Sequence, residues 1–398
     1  MIPNTEKKIF VCKQYVIIKK YIATIFFILL ACNTNNKTNS EKNISETNTS
    51  KNSYCSYKDE SGFLTIPIDV NQNEPLSLSD IADTVEQVKL EISDLPKSRK
   101  KIIFSESYIV LLVVELEKNN SQIIVFDNNG KFMNQIGSTG QGKGRYGHIF
   151  DIATDFKNKK IYVSTPSKII CYDIEGNFIN ESPLKEMVYL SFLKNKLFSF
   201  ADRLEAGDVS KHKIRNMIYE INDKLSISDS IEIRKIDLND NFYLSLDDRN
   251  YLTCMGGDET YLFHPVNIPD NLLHKPIITD TLYLFENKTL IPHLRINFGD
   301  KDKKRMIEYI YRNMRYVFVK HMKRMNEDRC FFYYDMKEKK GYNMRNGFMD
   351  NIQTGEIVDI RPLDFDTNKF YYLSNNIVNG TNNNGHNLTL YIGTLKNN

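Results

Sequence analysis

Tryptophan is absent from the 398 residues, and the aromatic content of 12% rests on 23 Tyr and 23 Phe. Those residues suit pleated, half-buried surfaces. An excess of one charge is absent too. The formal net charge is +3, but residues 1–31 hold five lysines and one glutamate, which leaves 48 basic against 49 acidic residues. A body this close to neutral gives no footing for general nucleic-acid binding. The seven histidines (His148, His212, His264, His274, His293, His321 and His386) form neither HExxH nor a close pair, so no metal site is assigned. G-x-S-x-G is missing and no Cys–His pairing marks a nucleophile, so no catalytic residue and no cofactor is assigned. The apolar run Tyr21 to Leu30 is too short for a comfortable membrane span.

What is present begins with an address. Lys7, Lys8, Lys13, Lys19 and Lys20 precede that apolar run, and it ends at Leu29-Leu30-Ala31-Cys32. Residues 1–31 read as a signal peptide, and the last four residues of the segment resemble the lipobox of bacterial lipoproteins. The resemblance implies cleavage before Cys32 and acylation of that cysteine, with several acyl chains giving a stable anchor. Residues 32–62 follow as a polar tether. Of the 21 residues from Asn33 to Ser53, fifteen are Asn, Thr or Ser, and only Ile44 is strongly apolar. Such a segment cannot bury enough surface to offset its ordering entropy and is expected to be disordered. An outer-membrane location is expected. No acidic residue lies between Asn33 and Ser40, and the choice between the periplasmic and surface faces stays open.

A hydrophobic content of 41% supports a sizeable core in residues 63–398. There the chain repeats itself. Ile123-Ile124-Val125-Phe126-Asp127, Gly130 and Phe132 recur 46 residues later as Ile169-Ile170-Cys171-Tyr172-Asp173, Gly176 and Phe178. Strand, Asp-x-x-Gly turn and strand make one hairpin, and a repeat of this length made of short strands marks a β-propeller blade. In the second unit Ile161-Tyr162-Val163 answers to Tyr108-Ile109-Val110, and the first unit's extra residues are expected in the loop Glu115 to Asn120. A third unit takes Val188–Leu193, Lys196–Phe200, Met217–Ile221 and Ile227–Ile233, with a long charged loop from Asp202 to Arg215. A fourth takes Tyr251–Met255, Thr260–Phe263, Thr281–Phe285 and His293–Phe298. Met306, Ile310, Met314 and Val317 stand at helical spacing, which predicts a short helical insertion at about 302–315. Strands resume from Cys330, and Leu388 to Leu395 is left without a linear partner. Five units plus unpaired strands at both ends give an all-β fold, a six-bladed β-propeller whose last blade is shared between the chain ends.

The hairpin Ile124 to Phe132, running into Ile136-Gly137-Ser138-Thr139-Gly140-Gln141-Gly142, resembles the NHL-related six-bladed propeller lipoproteins of Bacteroidota. Their glycine-rich connector usually reads Gly-x-Gly-Pro-Gly-Glu-Tyr, whereas this chain has Gly140-Gln141-Gly142-Lys143-Gly144-Arg145-Tyr146. Two cations replace the proline and the glutamate. The resemblance implies the fold but no known reaction.

Gly137 to Lys143 satisfies the G-x-x-x-x-G-K phosphate-loop pattern, yet Gly144 stands where a Ser or Thr must reach magnesium and no helix pattern follows. The segment reads as a connector between blades. In propellers such connectors border the ligand funnel, so Lys143, Arg145, Tyr146 and His148 are the candidate ligand-binding residues, suited to an anion or a sugar. Asp127 to Gly130 and Asp173 to Gly176 lack the oxygens for calcium and read as turns. Cys55, Cys171, Cys254 and Cys330 could form disulfides, with connectivity undetermined; Cys171 replaces Val125 and reads as a buried hydrophobe. Ten basic residues between Lys301 and Arg329, against four acidic ones, read as a solvated face or as a contact for anionic lipid or polysaccharide. The expectation is a monomeric, lipid-anchored propeller acting as a binding or scaffolding module for a glycan, peptide or envelope protein. The alternative is an NHL-like or lactonase-like enzyme with its site at the central channel.

Overall fold

Pleating sends Ile109, Leu111 and Val113 to one side of the strand Tyr108–Glu115 and Val110, Leu112 and Val114 to the other. All six are buried. A strand buried on both faces needs a packed neighbour on each, and the computed structural model supplies them as six four-stranded antiparallel blades arranged as a propeller. It describes residues 57–58, 63–71, 73–92, 99–115, 120–184, 188–206, 212–238, 253–255, 259–265, 279–299, 305–323, 329–363, 367–377 and 386–396. The signal peptide, Cys32 and nearly all of the tether lie outside these residues.

From inner to outer strand, blade 1 is Arg99–Phe104, Tyr108–Glu115, Asn120–Asp127 and Phe132–Gln135. Blade 2 is Asp151–Asp155, Lys160–Ser164, Lys168–Asp173 and Phe178–Pro183. Blade 3 is Tyr189–Leu193, Lys196–Ala206, His212–Ile221 and Ile227–Asp237. Blade 4 is Thr253–Met255, Tyr261–Phe263, Thr281–Glu286 and Thr289–Asn297, and blade 5 is Met306–Arg312, Tyr316–Met322, Cys330–Asp335 and Lys340–Arg345. Blade 6 takes Arg361–Pro362, Lys369–Ile377 and His386–Leu395 from the end of the chain and Ala82–Lys89 from its beginning. The expected closure is therefore present, with Val88 opposite Leu390.

Six apolar clusters fill the six gaps between blades. Val110, Leu112, Ile123 and Val125 of blade 1 meet Ile152, Ile161, Val163 and Ile170 of blade 2. The alternate residues Ile109, Leu111, Ile124 and Phe126 meet Leu388 and Leu390 of blade 6. Each buried aliphatic side chain contributes roughly 1.5–3 kcal/mol. Blades 5 and 6 share eighteen buried residues, whereas blades 3 and 4 share six among the described residues.

Four expectations are corrected. Residues 306–312 form a strand, not part of a helix at 302–315. The register shifts between Ile307 and Tyr309, so a bulge adds Glu308 and puts the two buried isoleucines, Ile307 and Ile310, three residues apart. The helical spacing of Met306, Ile310, Met314 and Val317 instead spans a strand, an exposed turn residue and the next strand. Among the described residues a short helix forms at Leu78–Ile81. Of the unpaired strands expected at the N-terminal end, Leu64–Pro67 does not meet the other terminus; it lies parallel to Thr289–Asn297 on the outer edge of blade 4. From there the chain passes blade 5, where the Glu74 N–H donates to Asn343 O at 2.9 Å, before entering blade 6. The extra residues of the first unit lengthen its paired middle strands to eight residues each rather than enlarging a loop, and the supposed loop of blade 3 is mostly strand, with Asp202 opposite Asn216 and Ala206 opposite His212.

Both Asp-x-x-Gly segments are turns. Asp127 Oδ1 accepts from the Asn129 and Lys131 amides at 2.9 Å each, and Asp173 Oδ1 from the Asn177 amide at 2.7 Å. Gly130 has φ +86°, and a Cβ there would stand 2.3 Å from Lys89 O of blade 6, so the turn needs glycine twice over.

Candidate functional site

Strands alternate in direction within a blade, so the two faces of the ring carry different connections. One face holds the turns between first and second strands and between third and fourth; these are short, as at 105–107, 194–195 and 287–288. The other holds the second-to-third connections and the passages from blade to blade, which include the described segments 136–150 and 346–360. Binding groups concentrate on long connections held by a rigid scaffold.

The expected connector, 136–150, is on that second face. Ser138–Thr139 and Arg145–Tyr146 pair as a small parallel ribbon. Lys143 and Arg145 are exposed, with Lys143 Nζ 5.3 Å from the centre of the Phe178 ring, and His148 is half-buried. Tyr146 departs from expectation. It is 1% exposed, packs in the core between blades 1 and 2, and donates its hydroxyl to Ile136 O at 2.7 Å. Burial pushes its pKa up to about 12 against a lowering bond from Gln135. Its ring is a core wedge and offers no contact surface. The phosphate-loop pattern has no helix behind it, and its amide is already taken: Gly144 N–H donates to Glu181 Oε2 at 3.0 Å. Lys168 ties the assembly by donating to Gly142 O and to Glu181 Oε2, each at 2.8 Å. That Lys168 bond, helped by the Gly144 amide, holds the Glu181 carboxyl below its ordinary range against burial.

Between neighbouring blades, charged groups neutralise one another. Lys101 of blade 1 meets Asp151 of blade 2 at 2.7 Å, and the second oxygen of Asp151 accepts the Leu190 amide of blade 3 at 2.8 Å. Between blades 5 and 6, Lys320 lies 3.1 Å from Glu308 and 2.9 Å from Asp359, and Tyr309 donates to Asp359 at 2.7 Å. Burial works to raise Asp359, but Arg361, Lys320 and Tyr309 outweigh it and leave the carboxyl below its ordinary range. Among the described residues, no three His, Cys, Asp or Glu side chains are grouped to hold a metal. Among the described cations of 301–329, Arg315 pairs with Asp335 at 2.6 Å and Arg305 donates to His321 at 3.1 Å. Cys171 is a buried free thiol, and burial pushes its pKa up to about 11.

Between blades 3 and 4, where six buried residues are described, there is a cavity that sequence reasoning did not find. Its volume is about 420 Å³, and it is lined by Arg234, His264, Thr279, Asp280, Thr281, Tyr283 and Arg295. Arg234 and Arg295 lie near the ends of the two outer strands, His264 follows a second strand and Thr281 opens a third, which puts the cavity on the face of the long connections. His264 Nε2 faces Asp202 Oδ1 at 3.5 Å, and Asn216 donates to the same oxygen at 2.5 Å. Arg295 Nε stands 3.8 Å from Asp280. Burial lowers the Arg234 pKa, with Tyr283 and Asp202 opposing. Local sequence carries no signal for this grouping, because its members come from separate strands of the two least regular blades.

The chain is a six-bladed β-propeller whose described long connections gather on one face. Residues 63–388 match the model of a family described as a domain of unknown function, DUF4934, and the chain belongs to that family. A Bacteroides fragilis protein described as exported is similar in fold, with TM-score 0.55 at 15% identity over 83% of this chain and 99% of that one. A DUF4221 family member from Bacteroides vulgatus has TM-score 0.39 at 13% identity, over 79% and 97% of the two chains. Comparison with curated protein sequences finds no match. Among the described residues, no helix is long and apolar enough to cross a membrane.

Proposed function

We propose that this protein is an exported lipoprotein, anchored through Cys32 in the outer membrane, whose propeller is a binding or scaffolding module of the cell envelope. The observation that carries the reading is the asymmetry of the ring. Tight turns close one face, while the long connections, the exposed cations Lys143 and Arg145 and the blade 3–4 cavity all occupy the other. The lipobox resemblance and the exported relative support the location. The charges of Glu308, Lys320, Asp359 and Arg361 between blades 5 and 6 are paired with one another, which suits a structural role. The ligand is an anionic glycan or an acidic segment of an envelope protein, since charge-assisted bonds are the stronger kind.

The test screens the mature protein against envelope glycans and envelope proteins, then repeats the binding with Lys143→Ala and Arg145→Ala combined. Affinity falls and loses salt sensitivity in the double variant, while the melting temperature holds. Equal affinity in both proteins removes the connector from the binding face.

A further inference from the structure

The cavity between blades 3 and 4 holds polar groups whose hydrogen bonds are left unmade. Arg234 Nη1 and His264 Nδ1 are buried and have no hydrogen-bond partner among the described residues. The His264 side chain is 9% exposed, so bulk water does not serve it. Buried polar atoms of this kind are uncommon in folded proteins and mark a place where a missing partner belongs. The carboxylates nearby are engaged elsewhere: Asp202 takes Asn216 and faces His264, and Asp280 accepts the Thr281 hydroxyl at 2.7 Å.

The geometry points to a binding site for a small hydroxylated carboxylate, a uronic-acid-like group, in this cavity; the assignment deepens the binding reading above and rests on it. Three features select that chemistry. Arg234 and Arg295 both line the cavity, and a planar guanidinium matches a carboxylate in two-pronged fashion. The lining carries two arginines against one carboxylate, Asp280, so its charge suits one further negative charge better than a dianion. His264 Nε2 faces Asp202, which leaves the unpartnered Nδ1 as the ring atom open to a ligand hydroxyl. Thr279 and Thr281 add hydroxyls to the wall, and about 420 Å³ falls within the range of small-ligand sites.

Calorimetric titration and thermal shift of the mature protein with sodium glucuronate test the assignment, with glucose and inorganic phosphate as comparisons. Glucuronate binds and raises the melting temperature; glucose, lacking the carboxylate, and phosphate, largely dianionic at pH 8, bind at least about tenfold more weakly. Arg234→Met weakens glucuronate at least about tenfold and leaves the unliganded melting temperature unchanged or higher, because an unmet buried donor has gone. A purely structural arginine behaves the other way, with a lower melting temperature and no change in glucuronate affinity, and that result overturns the assignment. So does phosphate binding more tightly than glucuronate, or no response to glucuronate at all. Should Arg234→Met not fold, Arg295→Gln serves, with the same weakening expected and unchanged affinity as the refuting result. Loss of this site with ligand capture still sensitive to Lys143 and Arg145 refutes the carboxylate alone and leaves the binding module standing.

Discussion

His321 should make this propeller acid-sensitive well above the carboxylate range. It sits on the second strand of blade 5, fully buried, with Nδ1 accepting from Arg305 Nε at 3.1 Å and Nε2 3.2 Å from Asn343 Oδ1. The Arg305 bond requires the neutral ring with its proton on Nε2, donated to Asn343. Burial, with the Arg305 cation adding to it and the Asn343 bond opposing, pushes the pKa down from 6.5 to about 3. Between those values the unfolded chain binds a proton that the folded chain refuses, so stability is lost as pH falls from about 6.5 towards 3. The slope is about 1.4 kcal/mol per pH unit, and about 2 kcal/mol goes between pH 6.5 and pH 5. His293, lowered to about 4 by burial and Arg312, acts in the same direction. Asp350 and Asp359 are held below 3.8, so their contribution is lost only at lower pH and leaves this window clear. Urea-unfolding midpoints at pH 8, 6.5 and 5 for the parent and for His321→Gln isolate the effect. The variant starts about 1–3 kcal/mol less stable at pH 8, from its disturbed hydrogen bonds, and its curve is flatter. Parallel curves across the window would refute the account of His321 as a neutral buried ring.

Gly130→Ala should lower the urea midpoint by about 1–3 kcal/mol, because φ +86° and the Lys89 carbonyl at 2.3 Å both oppose a Cβ. Gly142→Ala, at φ +108° with nothing within 4 Å, carries the backbone strain alone and should cost less; equal losses would show that the Lys89 contact is unimportant. Deleting residues from Asn387 onward strips the partner from both Ala82–Lys89 and Lys369–Ile377 and should cause aggregation on light scattering. A truncated protein that stays monomeric and melts like the parent contradicts closure. Cys32→Ser should leave the protein unprocessed or soluble, and normal mobility in the membrane fraction would end the lipoprotein proposal.

Legibility followed regularity. The hairpins around Asp127 and Asp173 were readable because a tight turn imposes local rules: an acidic side chain to bind amides and a glycine at positive φ. The strands of blades 3 and 4 were placed from alternation alone, with their lengths underestimated at Lys196–Ala206 and His212–Ile221, since charged residues continue a hairpin as readily as they form a loop once the strands are paired. At 306–317 a strand, a turn and a second strand placed Met306, Ile310, Met314 and Val317 at helical spacing by accident, although Met314 is exposed in the turn. Tyr146 misled for another reason. Aromatic and polar at once, it suits a ligand face or a core equally, and the choice was made by Ile136 offering an acceptor inside.

What the sequence by itself determined is the blade and its multiplicity. Short apolar strands of period two, punctuated by turn residues, cannot bury both faces alone and must stack, and a stack of such units with unpaired strands at both ends closes on itself. Only the tertiary structure decided which polar groups meet. Arg234, His264 and Arg295 are thirty or so residues apart along the chain and share no pattern; they converge because strand ends of two adjacent blades open on the same face over the ring's thinnest described core. A hydrophobic face is written residue by residue in the chain. A cavity belongs to the gap between two such faces, and its lining is settled by how closely they pack.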